Sequence, residues 1–580
     1  MLERLRPLFP YLRRYWKSLA WGGVAVIFYN VIKVLIPLVI GGAIDDMQHG
    51  LTEAKVVHHA LRLVVIAVLS AIFLYITRQV IIGASRDIEY DLRNDLFANL
   101  ERQSASFFHT HRTGDIMART TNDLNAVRQL LGPAIMYSAN TIVFTAAALP
   151  FMIRISPKLT LYAFVPLPIA SVLVQYFGAR IHRRFERIQA MFSDISAKAQ
   201  ENFSGARLIR AFVQEEAEIA SFETANQEYI RRSLYLVRLM AMLWPTLEFV
   251  LGLSLMITLL VGGHEVVSHR ISVGQFTSFI VYMVQLTWPM IAVGWVVNLF
   301  QRGTASVVRI DELLKQKPLI ADDPNATDSP ITGDIEFRNL TFAYPNSADV
   351  LHNINLHIPA GTSLAIVGPT GSGKSTLVSL IPRLHDAPPG SVLIDGQPIR
   401  HFTLDELRKS IGFVPQETFL FSETIRKNIA FGKPDATSEE VEDAASIAHI
   451  STEILEFPKG FDTMVGERGV TLSGGQKQRT SIARAVIRDP RILVLDDALA
   501  SVDTYTEERI LSGLRQGMRG RTTVFISHRI STARNADQIA VLVNGRIAER
   551  GTHDELLARN GYYTSLFEKQ RLEEELSIAT

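Results

Sequence analysis

The sequence predicts an α-helical membrane domain followed by an α/β domain of the P-loop type. Apolar residues are concentrated before residue 302, where six segments reach or approach the length of about 20 residues that a membrane-spanning helix requires. Beyond residue 334, short β-type runs such as Ser363–Val367 and Ile492–Leu495 alternate with helical patterns. The octapeptide at 368–375 matches the phosphate-binding pattern G-x-x-x-x-G-K-[ST].

Length and composition narrow the classes of protein further. A chain of 580 residues is too long for one hydrophobic core, since single cores stop growing at about 250 to 300 residues. The formal net charge of +1 gives no reason to expect a nucleic-acid partner. Because the chain has no cysteine, a disulfide framework, a Cys-ligated metal and a thiol nucleophile are all excluded.

Six membrane-spanning helices with long cytoplasmic extensions are predicted in the N-terminal half. The segments lie near 19–42, 61–83, 136–155, 158–178, 244–263 and 272–300. Two polar excursions, 84–135 and 179–243, keep a helical period and contain few Gly or Pro, so they are expected to continue the spans as helices. Residues 2–17 suit a short helix in the membrane interface, with a solvated lead-in as the alternative.

The distribution of basic residues sets the orientation. Arg and Lys crowd the N-terminus and the flanks of both excursions, whereas few lie on the opposite side. By the positive-inside rule, the N-terminus, both excursions and everything after the last span are cytoplasmic. The first span reads as an uncleaved membrane helix. We therefore expect a multi-pass protein of the bacterial inner (plasma) membrane, with its C-terminal domain in the cytoplasm.

Four ionisable residues in the first half could have either a functional or a structural role. Lys33 and Glu248 lie within predicted spans, where ionisable groups are functional candidates because their insertion is costly. Snorkelling or a water-filled cavity explains them as well as contact with a substrate does. His109 and His111 could ligate a metal only with partners that the sequence does not reveal, and polar loop contacts are favoured.

The predicted domains are 1–314 for the membrane half, 315–333 for a linker rich in Pro and acidic turn formers, and 334–580 for the α/β domain. The strand Leu364–Val367 precedes the P-loop, whose backbone N–H groups wrap a phosphate. Lys374 reaches the outer phosphates, and the Ser375 hydroxyl is a ligand for Mg²⁺. The predicted phosphate-binding residues are Gly368, Thr370, Gly371, Ser372, Gly373, Lys374, Ser375 and Thr376.

A second buried strand, Ile492–Leu495, ends in Asp496, which is the arrangement by which a P-loop domain holds Mg²⁺. Just before it, the run Leu472-Ser473-Gly474-Gly475-Gln476 resembles the signature motif of ATP-binding-cassette proteins. The remaining motifs of that family follow in order: Tyr344, Gln416 in Val-Pro-Gln-Glu, Ser501-Val-Asp503, and His528 in Ile-Ser-His-Arg. Six spans followed by one cassette is similar to the exporter half-transporters of the family.

The resemblance implies a mechanism in which two cassettes pair head to tail. Each ATP would lie between one P-loop and the Ser473, Gly474, Gly475 and Gln476 of the other cassette. Tyr344 would stack on adenine, while Ser375, Gln416 and Asp496 would organise Mg²⁺ and water. His528 would contact the γ-phosphate. Residues around Gly114–Asp123 and Glu201–Phe212 resemble the family's two cytoplasmic loops, which implies coupling helices that dock on the cassettes.

One position departs from the family pattern. The residue after the Mg²⁺ carboxylate is normally Glu, and here it is Asp497. Because misplacement of a catalytic group by about 1 Å can lower a rate by about two orders of magnitude, this site is expected to be slow. The catalytic candidates are thus Asp497, His528 and Gln416. The chain resembles the degenerate-site half of heterodimeric multidrug exporters, and a slow homodimer is the alternative.

The substrate cannot be read from helix faces of Leu, Ile, Val and Phe, which suit lipid packing as well as drug binding. By resemblance alone, the expected substrates are drug-like or lipid-like amphiphiles, in contact with membrane lipid. A homodimeric lipid or peptide exporter and a nucleotide-gated regulator or channel subunit remain as alternatives. An importer is disfavoured, because importers of this family usually carry their cassettes on separate chains.

Overall fold

The structure is a computed structural model that describes residues 2–48, 50, 52–345, 347–466, 469, 472–500, 502 and 504–579. The chain forms two compact units. One consists of Met1–Glu101 with Thr113–Gln316, and the other of Arg102–Arg112 with Lys317–Thr580. The short segment Arg102–Arg112 therefore belongs to the C-terminal unit, although it lies within the first half of the sequence.

The described residues of the first half of the chain form helices and the turns between them, with no strand. Its helices are α1 (Leu2–Leu5), α2 (Phe9–Arg14), α3 (Trp16–Gln48), α4 (Glu53–Glu101), α5 (Ala105–Thr110), α6 (Thr113–Ala118), α7 (Leu124–Gln129), α8 (Ile135–Ile155), α9 (Pro157–Phe164), α10 (Pro166–Ser204), α11 (Ala206–Ala211), α12 (Glu215–Val267) and α13 (Val273–Leu314). The π-helical turns Arg119–Asp123 and Leu130–Ala134 join α6, α7 and α8 into one continuous rod.

Five stretches within the described residues are long and apolar enough to cross a membrane. They are α3, α4, the rod Thr113–Ile155, α12 and α13. Each contains one of the predicted spans and, except for α3, extends well beyond it. The remaining prediction, 158–178, falls on α9 and α10, which are separated at Val165. Pro166 begins α10, in the first-turn position where a missing N–H costs no helical hydrogen bond.

Helices α3 and α13 pack closely, with hydrogen bonds between them. The Tyr282 hydroxyl donates to the Val34 carbonyl oxygen at 2.7 Å, and the Ser278 hydroxyl lies 2.8 Å from the Pro37 oxygen. A Cβ atom on Gly41 would lie 2.4 Å from the Gly274 carbonyl oxygen, so only glycine allows this approach. Small residues that bring backbones together, with polar groups that bond across helices, are typical of contacts between membrane helices.

The C-terminal unit is an α/β domain. Its strands are β1 (Ile335–Ala343), β2 (Asp349–Ile358), β3 (Ser363–Val367), β4 (Val392–Ile394), β5 (Gln397–Pro398), β6 (Ile411–Val414), β7 (Ile492–Leu495), β8 (Thr522–Ile526), β9 (Gln538–Val543) and β10 (Arg546–Gly551). Its helices are α14 (Lys374–Ser379), α15 (Leu404–Lys409), α16 (Ile425–Ala430), α17 (Ser438–Ile447), α18 (Ser451–Glu456), α19 (Gly474–Val486), α20 (Thr504–Gly517), α21 (Ile530–Ala533), α22 (His553–Ala558) and α23 (Tyr562–Ala579).

Within the described residues the strands form two sheets. The larger has the order β10-β9-β3-β8-β7-β6, and all neighbours in it are parallel except β10 and β9. The smaller is antiparallel, with the order β2-β1-β4-β5. Strand β3 sends Ala365 and Val367 into one apolar core and Leu364 and Ile366 into another, because successive side chains point to opposite faces. Both faces of the parallel sheet are thus covered.

This topology gathers the candidate residues at one edge. Strands β3, β6, β7 and β8 run parallel, so their carboxyl ends lie on the same side of the sheet, where ligands of open α/β sheets bind. The P-loop follows β3, and Gln416 comes two residues after β6. Asp496 and Asp497 follow β7, and His528 comes two residues after β8.

Candidate functional site

The P-loop adopts a conformation that its glycines make possible. Gly368 has a φ of 147° and Gly373 a φ of 98°, both in a region that L-residues rarely enter. A Cβ atom on Gly368 would lie 2.1 Å from the Leu542 carbonyl oxygen. The loop therefore lies against β9 and then turns directly into α14, whose first residue is Lys374. The N–H groups of that first turn have no partner within the helix and point toward the loop.

A cavity of about 200 Å³ opens between the loop and the strand ends. Its lining includes Thr370, Gly371, Gly373, Lys374, Ser375, Thr376, Gln416, Asp496, Asp497 and His528. The structure thus brings together most of the residues that the sequence assigned to phosphate, metal and catalysis. Gly368 does not line the cavity. Ser372 also lies outside the lining, and its buried hydroxyl has no hydrogen-bond partner in the described part of the chain.

Lys374 is nearly buried, and its ammonium group donates to the carbonyl oxygens of Gly368 and Pro369 at 2.9 and 3.0 Å. Burial lowers the pKa of Lys374, although the charges of Asp497 and Asp496 act in the opposite direction. The cation therefore lies inside the loop and opposite two carboxylates. This is where a charge must lie to reach the outer phosphates of a nucleotide held by the loop.

Ser375 and Asp496 form the candidate metal position. The Ser375 hydroxyl donates to Asp496 Oδ1 at 2.8 Å. Burial raises the pKa of Asp496, and the neighbouring Asp497 raises it further. Mg²⁺ prefers oxygen ligands and is usually held by one or two carboxylates plus phosphate oxygens. A hydroxyl and a carboxylate side by side, with the second carboxylate of Asp497 next to them, fit that ion.

Asp497, Gln416 and His528 converge at the same edge. The Gln416 side-chain amide donates to Asp497 Oδ2 at 3.4 Å, and His528 Nε2 lies 3.9 Å from the same oxygen. Burial raises the pKa of Asp497, while His528 and Lys374 act against that rise. Asp497 has a φ of 50°, a left-handed conformation that Asp adopts more readily than most residues. The three catalytic candidates are therefore neighbours.

An ion pair between the buried Glu507 and the partly exposed Arg529, next to His528, was missed by the sequence analysis. Glu507 of α20 accepts a hydrogen bond from Arg529 Nη1 at 2.6 Å, and the Thr532 hydroxyl also bonds to it. Arg529 additionally donates to the Val502 carbonyl oxygen at 3.0 Å. These contacts tie the loop after β8 to the start of α20. In the sequence, only the position of Arg529 next to His528 points to this ion pair, because the tertiary fold brings Arg529 and Glu507 together.

Tyr344 lies beside this cavity without lining it. Its hydroxyl is 3.1 Å from the Thr376 hydroxyl, and its ring meets the His385 ring edge-on at 5.1 Å between centroids. The ring also packs edge-on against Phe342 at 5.2 Å. Tyr344 is thus fixed next to α14, and its assigned contact with adenine stays a prediction.

The signature residues lie at the N-terminus of α19 and do not line the cavity. Ser473 Oγ accepts from the Gln476 backbone N–H at 3.2 Å, and Gln476 Oε1 accepts from the Ser473 N–H at 3.0 Å. This reciprocal capping leaves Ser473 and Gly474 exposed at the positive end of the helix. Such a helix end is suited to binding an anion.

The signature helix is tied to α18 by Glu453. Arg479 donates to both carboxylate oxygens of Glu453, at 2.6 and 2.9 Å, and Gln476 Nε2 donates to Glu453 at 3.0 Å. Arg479 also donates to the His449 carbonyl oxygen at 2.8 Å. Sequence reasoning did not find Glu453, because nothing near it in the chain marks it.

The last predicted positions are partly outside the structure. Ser501 and Asp503, the ends of the Ser-Val-Asp motif, lie outside the described residues, as does the side chain of His109. The His111 ring stacks on the Phe107 ring, with 4.1 Å between the ring centroids, and His111 Nδ1 lies 3.1 Å from the Phe107 carbonyl oxygen. His111 is therefore occupied in local contacts.

Comparisons with known proteins match both halves of the chain. A family model described as "ABC transporter transmembrane region" matches residues 19–290, and one described as "ABC transporter" matches residues 351–500. The chain is 38% identical over 575 residues to the "Probable multidrug resistance ABC transporter ATP-binding/permease protein YheI" of Bacillus subtilis (strain 168). That match covers 99% of this chain and 98% of the relative.

Two further relatives bear different names. The chain is 36% identical to the "Multidrug resistance-like ATP-binding protein MdlA" of Escherichia coli (strain K12), over 98% of this chain and 97% of that protein. It is 39% identical to the "ATP-dependent lipid A-core flippase" of Syntrophus aciditrophicus (strain SB), over 84% and 81% of the two chains.

A solved structure is similar over nearly the whole chain. A bacterial Atm1-family ABC exporter with ATP bound matches with a TM-score of 0.78 and 29% identity, covering 96% of this chain and 98% of that one. The predicted fold class, a helical membrane domain joined to an α/β nucleotide-binding domain, is confirmed. The chain belongs to the ABC transporter family, as a multi-pass membrane exporter of the multidrug or lipid type that couples an ATPase domain to transport.

Proposed function

We propose that this chain is the slow-site half of a heterodimeric exporter, and that it pairs with a second half-transporter that carries Glu at the position of Asp497. The observation that carries the proposal is Asp497 itself. It contacts Gln416 and His528 as a catalytic carboxylate would, yet its side chain is shorter than that of Glu by one carbon–carbon bond of about 1.5 Å.

The distribution of the motifs supports assembly from two cassettes. The P-loop cavity is lined by residues that hold phosphate, but Ser473 and Gly475 are not among them. The exposed N-terminus of α19 instead offers its N–H groups to an anion outside this cavity. Pairing head to tail would place that helix end on the γ-phosphate of ATP held by the other chain.

Residues in and beside the cavity then have roles in binding or positioning. The loop N–H groups and Lys374 hold the outer phosphates, and Tyr344 stacks on adenine. Ser375, Gln416 and Asp496 hold Mg²⁺, which supplies positive charge against the phosphate oxygens when it is bound. Asp497 and His528 orient water and contact the γ-phosphate. Because Asp497 is short, hydrolysis at this site is slow, whereas hydrolysis at the partner's P-loop is fast.

The tips of the cytoplasmic extensions support coupling between the two halves. The segment Arg102–Arg112, which contains α5, belongs to the cassette unit. At the second tip, α11 is flanked by exposed apolar side chains: Phe203 is 81% exposed and Phe212 is 67% exposed. Apolar groups at the tip of a long extension are expected to be covered by a partner. The second loop would therefore dock on the cassette of the other chain.

The substrate class is proposed from the relatives. Two are named for multidrug resistance and one as a lipid A-core flippase. Drugs exported across membranes and lipids share a polar end and an apolar body. We infer amphiphiles as the substrates of this chain.

The proposal is tested by purifying the chain from its native membrane and identifying what accompanies it by mass spectrometry. A second half-transporter is expected. In that complex, replacing the partner's Glu should nearly abolish ATP hydrolysis, whereas Asp497→Ala should lower it by less than about threefold, because the slow site contributes little to turnover.

The opposite result is equally clear. A chain that forms a stable homodimer, transports, and loses its ATPase activity on Asp497→Ala would make Asp497 the working carboxylate and overturn the heterodimer. Transport against a gradient in proteoliposomes, measured with and without ATP, separates a pump from a nucleotide-gated channel, because only a pump moves substrate uphill.

A further inference from the structure

Lys33 is a cation deep in the apolar part of α3. It lies nine residues from the end of the predicted span near residue 42 and 14 residues from its start near residue 19. At a rise of about 1.5 Å per residue, these separations are about 14 and 21 Å. A lysine side chain reaches only about 6 Å, so the ammonium group cannot snorkel to either surface of the hydrocarbon layer.

Two aromatic rings hold the ammonium group in place. Lys33 Nζ lies 5.1 Å from the centroid of the Phe144 ring on α8 and 5.7 Å from that of Tyr29, one turn away on α3. Rings attract a cation through their quadrupole, but they carry no net charge. Among the described residues, no carboxylate lies within 4.0 Å of Lys33. The positive charge is therefore positioned without being neutralised.

Polar side chains lie one helical turn from this cation. Asn30 of α3, which is 2% exposed, donates to Asn140 Oδ1 of α8 at 2.8 Å. Asn30 precedes Lys33 by three residues and Asn140 precedes Phe144 by four, so each pair lies on one face of its helix. The amide N–H groups of Asn140 have no acceptor among the described residues. A donor on α3 and a donor on α8 thus lie about one helical turn apart along two helices that are in contact.

A cationic donor and an amide donor, with aromatic rings beside them, match one class of ligand. Carboxylate, sulfonate and phosphate monoester groups are anions that accept several hydrogen bonds, and charge-assisted hydrogen bonds are the strong ones. A cationic amphiphile would instead be repelled by Lys33. Glu248, a carboxylate in the predicted span 244–263, is exposed on α12 and forms no ion pair with Lys33.

We propose that Lys33 and Asn140, braced by Tyr29 and Phe144, form an intramembrane receptor for the headgroup of an anionic amphiphile. This inference rests on the proposed export of amphiphiles and names the charge of the substrate. The anion could come from a membrane lipid or from a soluble amphiphile that partitions into the bilayer. Both sources present the same chemistry to the site.

The test measures binding without ATP, so that a failure of transport and a failure of this site are told apart. The purified transporter is placed in phosphatidylcholine nanodiscs, and radiolabelled dodecyl phosphate is bound by scintillation proximity, with empty nanodiscs as background. Unlabelled dodecyl phosphate should compete, whereas dodecyltrimethylammonium and dodecanol should compete at least about tenfold less well. Phosphatidylglycerol in the nanodisc should compete if lipids are the source and leave binding unchanged if soluble amphiphiles are.

Substitutions connect the binding to Lys33. Lys33→Gln should weaken dodecyl phosphate binding by about tenfold or more, and Lys33→Arg should retain most of it, because a charged donor is kept. Lys55→Gln, which removes a lysine outside the apolar stretch, is the matched control and should bind as wild type. Equal competition by the phosphate and the trimethylammonium probe would overturn the proposal, as would unchanged binding by Lys33→Gln. If Lys33→Gln does not assemble, the competition on wild type decides alone.

Discussion

At the scale of single residues, the end of β7 carries two adjacent carboxylates, of which Asp496 is buried and Asp497 is partly buried. Burial raises the pKa of Asp496 and of Asp497, and the charge of Asp497 raises that of Asp496 further. The ordinary value for both is 3.8. For both groups, the anionic form is thus less stable in the folded cassette than in the unfolded chain. This arrangement suits a position that binds a divalent cation.

The first prediction follows from the sign of that shift. The raised pKa means that the folded protein favours the protonated form of Asp496. The contribution of Asp496 to the free energy of unfolding is therefore fully present below pH 3.8 and is lost as the pH rises through the raised pKa. Asp496→Asn removes the charge and keeps an acceptor for Ser375. Without nucleotide, the variant should have a higher apparent Tm than wild type, with a difference that widens as the pH rises from 3.8 through the raised pKa and is constant above it.

The measurement is a thermal scan of the purified transporter across that pH range. Asp443→Asn, an exposed carboxylate on α17, is the control and should leave the apparent Tm unchanged. The same Asp496→Asn variant should lose ATP hydrolysis at its own site. A lower apparent Tm at every pH would show that Asp496 stabilises the fold, contrary to this account.

At the scale of elements, α19 presents the signature residues and α18 fixes its direction. The link is the pair of hydrogen bonds from Arg479 to Glu453, with a third from Gln476. Arg–carboxylate pairs of this kind fix geometry as well as contributing energy. A tilt of α19 would displace Ser473 from the phosphate that it is proposed to contact.

The second prediction is that Glu453→Gln lowers ATP hydrolysis at the partner's P-loop by about tenfold, since a charge-assisted hydrogen-bond pair is weakened. ATP binding at this chain's own P-loop should not change. Single-turnover hydrolysis and photo-crosslinking of a labelled ATP analogue to each chain report the two effects separately.

Glu456→Gln is the matched control, because Glu456 lies on the same helix and is exposed. It should hydrolyse at the wild-type rate. Equal losses in both variants would mean that α18 tolerates no substitution, and the tether would not explain the effect.

The elements differ in how far the sequence could predict them. Strands β3 and β7 and the P-loop were predictable because their pattern is local: an aliphatic run that ends at a glycine or a carboxylate. The π-helical turn Arg119–Asp123 and the separation of α9 from α10 at Val165 were not, since helical periodicity continues through both. Glu453 and Glu507 escaped prediction because their partners, Arg479 and Arg529, lie more than 20 residues away on other elements.

At the scale of the whole molecule, the chain contains both a phosphate-binding loop and a signature helix, yet its cavity uses only the first. The third prediction separates these two roles. Lys374→Ala should reduce photo-crosslinking of ATP to this chain by about tenfold or more, because it removes a nearly buried charge that faces the phosphates. Hydrolysis at the partner's P-loop, where Ser473 is proposed to act, should fall less.

Lys409→Ala removes an exposed lysine of α15 and is the control, with crosslinking expected at the wild-type level. The comparison requires complexes that contain one variant chain and one unmodified partner. Unchanged crosslinking in Lys374→Ala would remove the basis for assigning the P-loop its role.

The segment Arg102–Arg112 has a consequence for the synthesis of the protein. It belongs to the same unit as Lys317–Thr580, but about 200 residues separate the two along the chain. At about 5–20 residues per second, the ribosome needs roughly 10 to 40 seconds to begin the cassette after finishing this segment. Helix α5 is therefore synthesised well before the rest of its unit, while later membrane spans are inserted, and a chaperone or the translocation machinery is expected to shield Phe107 during that interval.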